Sequence, residues 1–359
     1  MLAATLAWRA PFRGFAQSDM PADLLDAVAN ESGQINIFNW SDYIDEQTIP
    51  DFEREFGIKV NYTTYEDNDE MIAAIKADPG QFDISVPTQD AMFRMRRQNL
   101  LESINRSWLS NIDNLDVEFR NPVWDPDNEH SIGWQWGTTG FAYNAALIDD
   151  PRADGWQILF DGAPDYDGRL TMLNEREEFI GAALKFLGFS LNTNELAEIE
   201  QVRPILLAQK PHVRAYIGAE VKPLLITEDV WLAHLWSGDT FQAQCPEEGG
   251  NENLEYVIPK QGGEIWVDVM VIPKDAPNPA SAHLWMNYIL RPQVGAQLSN
   301  YVFYATPNAA SLPMLDKELL ENPAVFPDAQ VRQRLEFKLA RTNEAARQLM
   351  GDIELDIKS

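Results

Sequence analysis

The chain of 359 residues is 45% hydrophobic and sets 56 acidic against 28 Lys and Arg residues, a formal net charge of -28. That length accommodates two lobes with separate cores, and the composition excludes a disordered chain. An acidic surface of this strength repels phosphate backbones, which excludes nucleic acid as a partner, and no apolar run reaches the length of a membrane-spanning helix.

Residues 1–33 read as an N-terminal leader or disordered tail. Their apolar stretch precedes Arg9 and Arg13, the reverse of the secretory order of charge before hydrophobe. From Gln34 the pattern becomes βαβαβ. QINIFNW alternates like a strand, and TIPDFEREF spaces Ile49, Phe52 and Phe56 for one helix face, with Gly57 as its C-cap. KVNYTTY is the second strand, Asp69 to Ala77 the second helix, and FDISV a third strand closed by Pro87. SIGWQWGTTGFAYN, rich in Gly and Thr and without helical period, reads as a crossover between lobes. A second block runs from about Arg169 to Ile272, with strands RLTML, VRAYI, VWLAHLW, EYVIP and EIWVDVMVIP and a helix from Glu178 to Leu187. A helix from Ala280 to Leu290, stopped by Arg291-Pro292, and a mainly helical tail from about Ala309 follow. Short strands alternating with helices imply parallel sheets covered on both faces, and ligands in such sheets bind beyond the carboxyl ends of strands.

Cys245 is the only cysteine, so an intramolecular disulfide or a thiolate metal cluster cannot form, and the four histidines show no helical ligand spacing. No metal or cofactor is expected. The acidic stretches Glu66 to Glu70 and Asp125 to Glu129 lack the glycine and distal glutamate of a calcium loop and read as solvated loops.

Aromatics and carboxylates recur together at element ends. NIFNWSDYI ends a strand in Trp40-Ser41-Asp42-Tyr43, where turns usually carry small polar residues. Trp266 and Asp268 are two apart on a strand and share a face, and a carboxylate beside a buried Trp needs a partner or an opening to solvent. In HLWSGD, Trp236 ends a strand; Asp239, taken alone, fits a helix N-cap more readily than a ligand contact. Glu175 and Glu178 face one way on a helix, where Arg176 and solvent are their simplest partners. In YVFYATPN, Phe303 and Tyr304 precede a turn and could simply pack. Each local explanation is sufficient alone, but five such stretches spread over both blocks suit an alkylammonium ligand. Carboxylates meet its charged ends, and aromatic faces cover the methylenes between. No nucleophile elbow or Gly-rich phosphate loop is present in the sequence.

With these residues identified, the sequence from Gln34 onward resembles the spermidine/putrescine-binding proteins of bacterial polyamine ABC importers. NIFNWSDYI, GIKVNYTTYEDNDEM, FDISVPT, WQWGTTGFAYN, LWSGD, WVDVMVIP, LRPQV and VFYATPN carry the resemblance. It implies a two-lobed type II periplasmic-binding-protein fold, α/β, each lobe a mainly parallel sheet flanked by helices, with the ligand in the interlobe cleft. Residues 34–140 and 271–308 would form lobe 1, and 141–270 with 309–359 lobe 2. It further implies a periplasmic monomer that captures putrescine or spermidine without catalysis and docks on the membrane subunits of an ABC importer. The implied ligand-binding residues are Trp40, Ser41, Asp42, Tyr43, Thr88, Glu175, Glu178, Trp236, Asp239, Trp266, Asp268 and Tyr304. Asp90 departs from the Tyr or Ser of the two best-known branches. Trp-Ser-Asp and Trp-Ser-Gly-Asp resemble the putrescine branch, whereas Trp266-Val267-Asp268 and the Thr306-Pro307-Asn308 turn resemble the spermidine branch. Two other readings use the same residues: a polyamine sensor that presents ligand-dependent closure to a membrane receptor, and a carboxylate-pair hydrolase acting on sugars. Charge disfavours the hydrolase, which needs one acid of raised pKa and neutral partners rather than five carboxylates.

Overall fold

A computed structural model describes residues 20–245 and 249–359. The export-signal reading falls on residues 1–19, outside that range. Strands β1 (Gln34–Trp40), β2 (Lys59–Tyr65) and β3 (Ile84–Ser85) form a three-stranded parallel sheet in the order β2-β1-β3. Ile35 and Ile37, two apart, are both buried, which fixes the face that β1 turns to the core. Helix Thr48–Phe56 ends as its sequence implies. Gly57 adopts φ +70° and returns its N–H to Glu53 O at 2.9 Å, while Phe52 packs edge-on against Trp285 at 4.9 Å between ring centroids.

The second sheet runs β10-β9-β4-β7-β5-β6, from β4 (Ile132–Asn144), β5 (Leu170–Met172), β6 (Val213–Tyr216), β7 (Leu232–Trp236), β9 (Glu264–Met270) and β10 (Glu336–Phe337). Strand β8 (Leu254–Val257) joins the far end of β4. The expected parallel core is β7-β5-β6, and the long β4 lies antiparallel to β7, β8 and β9. Past Met270 the chain leaves this sheet for the first, where Val271 and Ser85 exchange backbone hydrogen bonds of 2.9 and 3.1 Å. Trp136 and Ala305 exchange a similar pair, at 2.9 and 3.1 Å. The apolar core divides accordingly. One cluster joins residues between Met20 and Trp134 to others between Trp266 and Tyr304; another joins Phe141–Leu232 residues to Ala346, Met350, Ile353 and Ile357 of the last helix, Glu344–Lys358.

One expectation needs correction, and one helix went unmarked. The ordered chain does not begin at Gln34: Ala22–Val28 is a helix whose Leu24 is fully buried against the first cluster. Arg291-Pro292 ends one helix, Pro279–Ile289, but Pro292 also opens another, Pro292–Val302. Proline fits that first position because its missing N–H would be unpaired there anyway.

Candidate functional site

All twelve residues singled out in the sequence line one cavity of about 610 Å³, its open mouth included. The first sheet supplies one wall. Trp40 is held at the end of β1 by its indole N–H, which donates to Val86 O at 2.9 Å, and by Tyr65, whose ring centre lies 4.6 Å away. Asp42 takes a left-handed turn conformation, φ +49°, that carboxylate and amide residues tolerate best. The turn drops Tyr43 into the interior, where its hydroxyl donates to Asp268 Oδ2 at 2.8 Å. Ser41 donates to Glu66 Oε2 at 3.2 Å.

The second sheet supplies the opposite wall. Trp266 and Asp268 on β9 face Gly137 and Gln135 of β4. A Cβ at Gly137 would stand 2.6 Å from the Trp266 ring, so glycine there is what lets the indole lie across β4. A Cβ at Gly238 would stand 2.5 Å from the Tyr304 ring. That explains the glycine in WSGD: Tyr304 sits against the start of helix Ser237–Gln244, its hydroxyl accepting the Asp239 N–H at 3.2 Å. Tyr304 lies 5.3 Å from both Tyr43 and Trp266, ring centre to ring centre. Asp239 lies in the first turn of its helix and, rather than capping it, is buried in the cavity.

The acids are poorly compensated. Burial pushes the Asp268 carboxyl up to about 8, despite the Tyr43 hydrogen bond, and pushes Glu175 up to about 7. Burial also raises Asp239, offset only in part by Lys222 and the Tyr304 hydroxyl. Among the described residues, Asp239 Oδ2 and Asp268 Oδ1 are buried with no hydrogen-bond partner. An unpaired buried carboxylate oxygen costs several kcal/mol until a donor meets it.

Sequence reasoning missed three participants. Glu66, read as part of a solvated loop, lines the cavity; it directly follows β2 as Trp40 ends β1, and that position at a strand's carboxyl end was a usable signal. Lys222 pairs with Asp42 at 2.9 Å and lies 3.9 Å from Asp239. Lys338, not Arg176, is the cation nearest Glu175 and Glu178, at 3.9 and 3.3 Å, while Arg176 turns to Glu177 and Glu354. Both lysines are remote in sequence from their partners and left no local signal. Asp90 stands apart from the cavity, bonded by Thr88 Oγ1 at 2.8 Å and 4.0 Å from Lys338.

The model of the bacterial extracellular solute-binding protein family matches residues 47–327. The chain belongs to this family. A curated relative of this solute-binding protein, the spermidine/putrescine-binding periplasmic protein of Salmonella typhimurium, is 33% identical over 313 residues, 87% of this chain and 88% of its own. The putrescine/cadaverine-binding protein of Pseudomonas aeruginosa is 31% identical, covering 92% of this chain and 95% of its own. A solved protein of Listeria monocytogenes, assigned to a spermidine/putrescine ABC transporter, superposes with a TM-score of 0.84 at 36% identity. It covers 91% of this chain and 99% of that one. In a solute-binding protein the cavity between strand ends is the natural ligand site, and its chemistry here is anionic and aromatic.

Proposed function

We propose that this solute-binding protein captures a linear polyamine of the putrescine or spermidine type in the periplasm and delivers it to the membrane subunits of an ABC importer. The observation that carries the reading is the pair of buried, donorless oxygens, Asp239 Oδ2 and Asp268 Oδ1, in a cavity also lined by Trp40, Trp236, Trp266 and Tyr304. Each oxygen needs a donor, and a protonated amine supplies both charge and N–H groups. The methylenes between two ammonium groups then lie against aromatic faces, which add cation–π attraction near their ends. Names of relatives that include spermidine, putrescine and cadaverine support the same ligand class.

The twelve cavity residues make the contacts, and no bond is made or broken in the ligand. The lobe divided as 34–140 with 271–308 contributes Trp40 to Tyr43, Thr88 and Tyr304; the lobe of 141–270 with 309–359 contributes Glu175, Glu178, Trp236, Asp239, Trp266 and Asp268. Closure of the two around the amine has the differential affinity needed to shift an open–closed equilibrium, which the importer reads. The net charge of -28 draws polycations toward the cleft at low ionic strength. A thermal-shift panel tests the reading. Putrescine, cadaverine or spermidine raises the melting temperature by mass action, whereas sugars and neutral amino acids leave it unchanged. A response to sugars with none to any amine would overturn it.

A further inference from the structure

Behind Glu175 and Glu178, which line the cavity, a cation is already seated. Lys338 is only 4% exposed, and its ammonium lies 3.0 Å from Glu264, 3.3 Å from Glu178, 3.9 Å from Glu175 and 4.0 Å from Asp90. Its backbone is held on both sides. Lys338 O accepts from Gln89 Nε2 at 3.0 Å, and the same amide accepts the Val267 N–H of β9 at 2.9 Å. Asn192 bonds the neighbouring Phe337 O and Leu339 N–H at 2.9 and 2.8 Å. Lys338 is thus a built element of the interior rather than a surface side chain that happens to fold inward.

The three acid positions of the cavity therefore differ. Asp239 and Asp268 each retain a buried oxygen with no donor, Asp239 with Lys222 3.9 Å from its other oxygen, whereas Glu175 and Glu178 share the more deeply buried ammonium of Lys338. Burial also raises Glu264 well above the carboxylate range and Glu175 to about 7, so the cluster around Lys338 carries less negative charge than its four acids suggest.

We propose that Lys338 is a specificity-determining residue: it occupies the position a third ligand ammonium would take, so that the protein selects linear diamines over triamines. The inference rests on the polyamine reading and narrows it. A triamine threaded toward Glu175 and Glu178 would bring a second ammonium against one that cannot leave, and like charges so placed in a desolvated site cost several kcal/mol. A diamine that meets Asp239 and Asp268 places no further ammonium beside Lys338. Specificity would then come from a repulsive group as much as from attractive ones.

Titration calorimetry with putrescine, cadaverine and spermidine, on the wild type and on Lys338→Met and Lys338→Gln, tests this. Methionine keeps the stem's bulk without its charge. In the wild type the better diamine binds at least about tenfold tighter than spermidine, and in folded variants that ratio shrinks or inverts. Spermidine binding the wild type more tightly than either diamine overturns the proposal, whether or not the variants fold. A diamine preference that persists unchanged in the folded variants overturns it too, while leaving the polyamine reading intact. Binding of no amine at all removes both.

Discussion

Lowering the pH from about 8.5 to about 6.5 should weaken diamine binding about 25-fold, because one of the carboxylates that meets the ligand holds a proton in the free protein. Burial raises Asp268 to about 8, so the fraction ionised falls from about 0.76 to about 0.03 over that interval. The ratio, roughly 25, corresponds to about 2 kcal/mol. An alkylammonium, with a pKa near 10 like that of lysine, stays charged throughout, so the change belongs to the protein. Glu175, pushed up to about 7, deepens the loss if it also faces the ligand. The stability of the free protein moves in the other direction. The folded pKa lies above the unfolded value near 3.9, so the folded state holds the extra proton between about pH 4 and 8, and ligand-free stability falls as pH rises through that window. Calorimetry across the pH series, in two buffers of different ionisation enthalpy, measures affinity and proton release together. Close to one proton leaves per amine bound at the lower pH, and Asp268→Asn flattens the dependence. An affinity independent of pH, with no proton released, would refute the idea that a buried neutral carboxyl awaits the ligand.

Asp268→Asn should cost about 3 kcal/mol of binding and Asp90→Asn less than about 1, since only Asp268 lines the cavity with an unpaired oxygen; equal losses by calorimetry contradict that ranking. Gly238→Ala should displace Tyr304, because the added Cβ would stand 2.5 Å from its ring, and overpacking of this kind costs about 1–3 kcal/mol. Chemical denaturation reads that stability loss, and a variant as stable as the wild type argues against the close approach. Small-angle scattering should show a smaller radius of gyration at saturating amine; an unchanged profile with binding confirmed means the lobes are closed beforehand.

Much of this molecule could be read from local pattern. The alternation of β1, the helix closed by Gly57 and the strand face shared by Trp266 and Asp268 all follow from periods of two or 3.6 residues, and the structure places each as expected. Cavity residues were legible for a related reason: large aromatics and acids at strand ends violate ordinary turn chemistry, and all twelve gather around one space. The parts that escaped have no local signature. Ala22–Val28 is too short to display a period, and its burial depends on contacts with a helix more than 250 residues later. Lys338 reaches Glu178 across 160 positions of sequence, and Lys222 reaches Asp42 across 180. An isolated lysine carries no pattern; only the folded chain reveals which acids surround it.

Strand β9 gives the site a mechanical asymmetry. The segment that carries Asp268 into the cavity continues directly to Val271, which pairs with Ser85 of the other sheet. Asp268 is itself bridged to Thr88, and the Val269 N–H donates to Pro87 O at 2.9 Å, so the acid already stands at that junction. If the lobes swing there, Asp268 sits on a short lever arm and scarcely travels, whereas Asp42 at the rim and Lys222 opposite it sweep through a wide arc. An amine arriving at the open form would meet Asp268 almost in its final place and use it as an anchor, and the rim would engage last. Dissociation would reverse that order, so changes at the rim should alter how long the ligand stays, while changes at Asp268 decide whether it is held at all.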